Sequence, residues 1–300
     1  MKTAYINGII LNGYEDMTLN VVAGRTGGRR NHHRGCPYWS SSIRIYSNGF
    51  AGRYFMPGLI NLHVHIPGSG RPTRKQVDTK KLVKLITSNG LMQKIGMNLC
   101  ASYAKMELMS GVTTIRTVGD IQDFDSRLRD QINQGKVVGP RILVANMALS
   151  VPGGHMAGSL AYEANSPEEA VRFVRKIAQD KPLIKLMITG GVLDAEKKGE
   201  PGVLRMAPEL VRAVCDEAHR LGLPVAAHVE SPQGVQVALE NGVDTIEHKT
   251  KPTEEILRLF HKRGSALVAT LSPAIPYALF DPTVSRCDEM GQYNGKIVFG

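Results

Sequence analysis

The sequence predicts an α/β protein built around a (β/α)8, TIM-type barrel of which seven strands are visible. Three observations lead there. From residue 59 onward, short apolar runs alternate with helical segments at spacings of roughly 20 to 40 residues, the rhythm of right-handed βαβ units around a parallel sheet. Histidines close three of those runs, and barrels place their reactive groups at the C-terminal ends of strands. An open doubly wound sheet would carry a glycine-rich phosphate loop after its first strand, and none follows His65.

Taken in order, Thr3 to Leu11 reads as a strand through Tyr5, Ile9 and Ile10, and Asn12-Gly13 is a turn signal. Residues 21–50 lack both strand alternation and helical periodicity and read as an irregular basic stretch, with His32 and His33 exposed in it. Strand character resumes at Arg53-Tyr54-Phe55. Then M-P-G-L-I-N-L-H-V-H, Met56 to His65, supplies a Pro-Gly turn and a short buried strand ending on two histidines. A polar connection, Pro67 to Lys80, leads to a helix over Leu91 to Ser110. Further strands are predicted at Val112 to Val118, Arg141 to Leu149, Leu183 to Thr189, Leu223 to Val229, Asp244 to His248 and Ala266 to Leu271. Between them, Ser166-Pro167-Glu168-Glu169 is a capping box opening a helix to about Gln179. Pro208 to Arg220, Pro232 to Glu240 and Thr253 to Arg263 end on Leu221-Gly222, Asn241-Gly242 and Gly264.

The formal charge of +10 raises the question of nucleic acid, but its distribution answers it. Arg25, Arg29, Arg30, Arg34 and Arg44 fall within 21–50 with no acidic residue, and no nucleic-acid module accompanies them; elsewhere the charges alternate in sign. There is no membrane-spanning apolar run and no secretory leader pattern, so a cytoplasmic location is expected. Cys36, Cys100, Cys215 and Cys287 are widely spaced, which reads as reduced, structural thiols.

The chemistry gathers at strand ends. His63 and His65, at i and i+2 of a strand, point to one side, and imidazole is a common ligand for divalent metals. Lys185 sits inside the apolar run L-I-K-L-M-I, where a lysine is costly without a role. It reads as a lysine reaching water, a Schiff-base lysine, or one carboxylated by carbon dioxide and able to bridge two metals. His228 closes L-P-V-A-A-H and His248 closes D-T-I-E-H, so four of the nine histidines occupy strand ends. Four imidazoles and one bridging carboxylate suit a binuclear site of zinc-like ions that activates water for hydrolysis, which a Schiff-base enzyme does not need.

These residues resemble the amidohydrolase superfamily of metal-dependent hydrolases, over about residues 53–272. The resemblance implies that His63 and His65 bind the more buried metal, that carboxylated Lys185 bridges, and that His228 and His248 bind the second. G-V-T-T-I-R at 111–116, the P-G-G-H segment ending at His155 and I-K-L-M-I-T-G-G look most like the prolidase-like and imidazolonepropionase-related branch. For that branch it implies cleavage of an amide or dipeptide C–N bond by a metal-bridging hydroxide, with zinc-like cofactors and His155 touching the substrate. A cyclic amide or imidazolone hydrolase is the alternative substrate reading, and an inactive metal-binding remnant is the other.

The chain also departs from the family pattern. The family's metal-binding Asp at the end of an eighth strand has no counterpart here, because Asp281 and Asp288 do not end apolar strands, and no catalytic residue is assigned. The family also builds a small β-sandwich from both chain ends. The expectation is therefore a partial sandwich over 1–52, disturbed at 21–50, and an incomplete barrel over 53–300, truncated at its C-terminus. Its unpaired first and seventh strands would favour association of copies.

Overall fold

The computed structural model of the chain describes residues 2–6, 8–11, 19–22, 25–27, 45–49, 54–69, 77–180, 182–248, 252–270 and 289–299. It divides into two compact units, Met1–Leu59 and Ile60–Gly300. The first unit holds β1 (Lys2–Ile6), β2 (Gly8–Leu11), β3 (Leu19–Val22), β4 (Arg25–Gly27), β5 (Ile45–Gly49) and β6 (Tyr54–Phe55), in two sheets ordered β4-β1-β5 and β3-β2-β6. Strands β4 and β5, with the end of β3, correct the reading of 21–50 as wholly irregular. Backbone pairing to β1 and β2 is long-range, and it overrides the weak local preference of glycine- and arginine-rich sequence. The Asn12-Gly13 turn, His32, His33, Cys36, Asp281, Cys287 and Asp288 lie outside the described residues.

The second unit runs β7 (Leu59–Val64), α1 (Thr79–Ile86), α2 (Gly90–Met109), β8 (Val112–Thr117), α3 (Phe124–Asn133), β9 (Arg141–Leu143), β10 (Ala148–Ser150), β11 (Ala161–Glu163), α4 (Pro167–Ile177), β12 (Ile184–Met187), α5 (Pro208–Arg220), β13 (Val225–His228), α6 (Pro232–Glu240), β14 (Thr245–Glu247), α7 (Glu254–Arg263), β15 (Ala266–Val268) and α8 (Glu289–Phe299). Its sheets are ordered β7-β8-β9 and β11-β10-β12-β13-β14-β15, and neighbours pair in parallel from β10 through β15. The Leu183 N–H donates to the Val144 carbonyl at 2.9 Å, tying the two sheets together. Side chains of β7 and β14 meet, His63 to Glu247 at 2.7 Å, although five strand spacings in a flat sheet would separate them by about 24 Å. The sheets therefore curl around a shared interior.

Period-two alternation decides what enters that interior. Ile184, Leu186 and Ile188, with Val225, Ala227, Val229 and Ile246, pack outward against Phe173 and Val174 of α4 and Leu210, Val211 and Val214 of α5. Their alternates, Lys185, Ala226, His228, Thr245 and Glu247, must face inward. Likewise Val64 and Ile115 pack with Met97 and Cys100 of α2 and Phe124 and Leu128 of α3, which turns His63, His65 and Arg116 inward. Burying these apolar faces, at about 25 cal/mol per Å2, is what holds the polar side chains in place.

Local chemistry explains two differences from the sequence reading. The strand expected over Arg141 to Leu149 is split into β9 and β10, because Asn146 adopts φ +57°. The N–H groups of Ala145 and Asn146 donate to Asp125 Oδ2 at 3.0 and 2.9 Å. The capping box is shifted by one residue: Ser166 Oγ accepts from the Glu169 N–H at 3.2 Å, but the Glu169 carboxylate accepts from Asn165 N–H at 2.9 Å. Helix α3 has no counterpart in the sequence reading, although Phe124, Leu128 and Ile132 recur every fourth residue along it. Cys100 and Cys215 are free and buried, and burial raises both thiol pKa values, that of Cys215 to about 12.

Asp120 is fully buried after β8, with Oδ1 accepting from the Ile121 N–H at 2.7 Å and Oδ2 without a partner among the described residues. Burial, and then the charge of Asp125, push its pKa well above the ordinary carboxylate range. The folded state thus keeps a proton that the unfolded chain gives up near pH 4, so wild-type stability falls as pH rises through that window. Asp120→Asn lacks this slope. Urea denaturation at pH 5 and pH 8 should show the variant gaining on wild type at the higher pH, and equal slopes would contradict the burial argument.

Candidate metal centre

The inward positions converge at the C-terminal ends of the strands. The rings of His63 and His65 have centroids 5.3 Å apart, His63 lies 4.7 Å from His248, and His248 lies 4.7 Å from His228. His155, from the loop after β10, stacks on His228 at 4.1 Å and 14°. All five line one cavity of about 580 Å3, together with Glu230 and Val192 among others. Lys185 is 1% exposed, and its Nζ has no hydrogen-bond partner among the described residues.

Hydrogen bonds set the tautomers. His63 Nδ1–H donates to Glu247 Oε2 at 2.7 Å and His65 Nδ1–H to the Gly119 carbonyl at 2.9 Å; both partners only accept, so each ring keeps a lone pair on Nε2. His228 Nε2–H donates to the Gly190 carbonyl at 3.3 Å, leaving Nδ1. His248 pairs through Nδ1 with Thr270 Oγ1 at 2.8 Å and holds φ +78°, a backbone conformation that costs a non-glycine residue about 1–3 kcal/mol and clusters at functional sites. His155 pairs through Nδ1 with the Asp194 carboxylate, which also accepts the Gly191 N–H at 3.0 Å.

Burial, reinforced by the Lys185 charge, draws the pKa of His63, His228 and His248 well below the ordinary value, and burial lowers His65 to about 4. These imidazoles are neutral at pH 7, the state in which they ligate a metal. Burial likewise lowers Lys185 to about 7 and raises Glu230 to about 8. Ligand atoms of His228, Glu230 and His248 lie within 4.8 Å of one another, a spacing that one divalent cation can span. Neutral imidazoles around an orphaned amine thus fit divalent metal better than they fit one another.

Every site residue singled out in the sequence, His63, His65, His155, Lys185, His228 and His248, falls in this one region. Sequence reasoning missed Glu230, Glu247, Arg116 and Asp194. Glu230 had a signal, since it stands two residues beyond His228 as His65 does beyond His63.

The fold and site define a class. A model of the amidohydrolase family matches residues 54–275, and the chain belongs to that family. Among particular relatives, ochratoxinase of Aspergillus niger is 28% identical over 242 residues, covering 72% of this chain and 48% of that protein. The chain spans about half the length of the curated relatives it matches. Among solved structures, a prolidase candidate from Bifidobacterium longum superposes with a TM-score of 0.78 at 32% identity, covering 100% of this chain and 68% of that one. A Xaa-Pro dipeptidase with methionine bound in its active site superposes with a TM-score of 0.81 at 27% identity, covering 100% and 74%.

Proposed function

We propose that the protein is a metal-dependent hydrolase of C–N bonds, acting on a small amide or dipeptide in the manner of a prolidase. The observation that carries this is the orphaned Lys185 Nζ close to four imidazoles, His65, His63, His248 and His228, whose rings follow one another at 4.7 to 5.3 Å. His63 and His65 would hold one ion, His228 and His248 a second, and Lys185 would lie between. Its amine, partly neutral near pH 7, can add to carbon dioxide, forming an N–C bond and releasing one proton. The resulting carbamate would give Lys185 an oxygen donor group for divalent ions. When bound, ions of the zinc type supply Lewis acidity and lower the pKa of water.

The chain's other residues position the substrate. Asp194 fixes the His155 ring through Nδ1, so that the Nε2 lone pair is left for the cavity, where it can accept a hydrogen bond from a substrate N–H. Val192 and Ile66 offer apolar wall. The dipeptidase and ochratoxinase relatives support an amide substrate. A second reading, a single ion on His228, Glu230 and His248, is favoured by their 4.8 Å grouping.

The test is elemental analysis of protein purified with zinc and bicarbonate, followed by a screen of Xaa-Pro and other dipeptides and N-acyl amino acids. Two metals per chain and chelator-sensitive hydrolysis are expected. One metal independent of bicarbonate would favour the second reading, and a metal-loaded protein that cleaves no amide would overturn the hydrolase.

A further inference from the structure

We infer that Arg116 and Glu247 act together as a buried brace that fixes the tautomer and direction of His63, making both of them positioning residues for the metal centre. This rests on the reading of His63 as a ligand, deepening it from which residues bind to what holds them ready.

Glu247 is completely buried on the inner face of β14, and the Arg116 side chain, from β8, is 11% exposed. One guanidinium spans three strands. Its Nη2 donates to Glu247 Oε1 at 2.6 Å, its Nη1 to Thr245 Oγ1 at 3.2 Å, and its Nε to the Leu62 carbonyl at 2.7 Å. Thr245 Oγ1 donates to Glu247 Oε1 at 3.0 Å. Glu247 Oε1 is thereby occupied, and Oε2 is directed at His63 Nδ1 at 2.7 Å. The guanidinium therefore grips the backbone carbonyl immediately before His63 as well as the carboxylate that accepts the His63 Nδ1–H hydrogen bond.

Stability alone is a poor account of this arrangement. A buried ion pair loses much of its Coulombic gain to desolvation, and apolar residues of similar volume often replace one at no cost. What the pair supplies is an acceptor held in place on one nitrogen of His63. That acceptor obliges Nδ1 to carry the proton and leaves Nε2 for a metal; partners of this kind typically contribute to affinity well beyond their distance from the ion. Without Glu247, the ring is free to take the other tautomer or to turn about its Cβ–Cγ bond.

The first measurement needs no metal. Long-range 1H–15N correlation on metal-free protein labelled at histidine, with His63 assigned by the loss of its signals in His63→Asn, should show the Nδ1–H tautomer. An Nε2–H ring, or one averaging between tautomers, overturns the inference. The second measures zinc affinity by competition with a chromophoric chelator, beside thermal melting. Glu247→Gln and Arg116→Met are expected to weaken zinc binding by about 10- to 100-fold, and Arg116→Lys to recover part of the loss because it restores charge without the planar fork. Variants that melt early yet bind zinc within about twofold of wild type would show a merely structural pair and overturn the inference. A wild type that binds no zinc would defeat the metal reading itself, while the tautomer still decides whether the brace exists.

Discussion

Replacing Lys185 with methionine is expected to strip most of the bound metal from the protein while making the metal-free chain more stable at pH 6. The two effects have opposite signs because the lysine is a poor core residue and, on the proposed carboxylation, would become a good ligand. Its amine has no hydrogen-bond partner among the described residues, and burial lowers its pKa from 10.5 to about 7. As pH falls from 10.5 toward 7, the unfolded chain takes up a proton that the folded chain refuses, and stability is lost; below about 7 the whole penalty is present. A shift of that size corresponds to about 5 kcal/mol as an upper figure, since water entering beside the cavity reduces what is realised. Methionine carries no charge into the interior and has nearly the same length. Urea denaturation of chelated protein should therefore show the variant ahead by about 2 kcal/mol or more at pH 6, with the advantage fading toward pH 10. Elemental analysis should show wild type taking up metal in a bicarbonate-dependent way and the variant losing that dependence. Full metal content in Lys185→Met would remove the lysine from the centre.

The parts of this site that were readable from sequence are those where a polar residue interrupts an apolar strand. Lys185 stands out in L-I-K-L-M-I, and His63, His65 and His228 stand out because each ends a largely aliphatic run, while His248 is marked only by closing the short strand D-T-I-E-H. Arg116 and Glu247 are equally inward, but their strands, V-T-T-I-R-T and T-I-E, are already half polar, so a charge there has no contrast with its surroundings. Their roles exist only through partners far along the chain: Glu247 meets His63 across 184 positions and Arg116 across 131. Asp194 ends a three-residue 3-10 turn, Val192–Asp194, too short to show periodicity, and reaches His155 across 39 positions. The fold follows the same division. Several helix and strand positions followed from periodicity, with Pro208–Arg220 and Pro232–Glu240 matching residue for residue. The break at Asn146 depends on Asp125, a buried carboxylate whose acceptors face another element, and no local pattern announces that.

The loop that carries Asp194 hangs on a close approach of backbone to backbone, and Gly202→Ala is expected to break it. Gly202 holds φ +68°, and an added Cβ would stand 2.3 Å from the Glu230 carbonyl oxygen, 2.5 Å from its carbon and 3.0 Å from Ser231 N. None of these atoms belongs to a side chain that could turn away. They also lie directly beyond His228, so the clash falls at the wall of the candidate metal centre. The loop returns through Gly190 N–H to the Val203 carbonyl at 2.9 Å and Arg205 N–H to the Ile188 carbonyl at 2.9 Å, so displacing Gly202 strains both bonds. Backbone strain and overpacking together should cost about 3 kcal/mol or more. Gly199 is the internal control: it lies in the same loop at φ +92° with nothing within 4 Å of an added Cβ. Gly199→Ala therefore bears the strain without the collision and should cost about 1 kcal/mol. Urea denaturation measures both, and tryptic cleavage at Lys197 and Lys198 reports whether the loop has left its seat. Gly202→Ala should be cut faster than Gly199→Ala and should lose the His155–Asp194 contact. Equal stability and equal cleavage in the two variants would mean that the approach to Glu230 is not what anchors the loop, and that the hydrogen bonds of Gly190 and Arg205 suffice to hold Asp194 against His155.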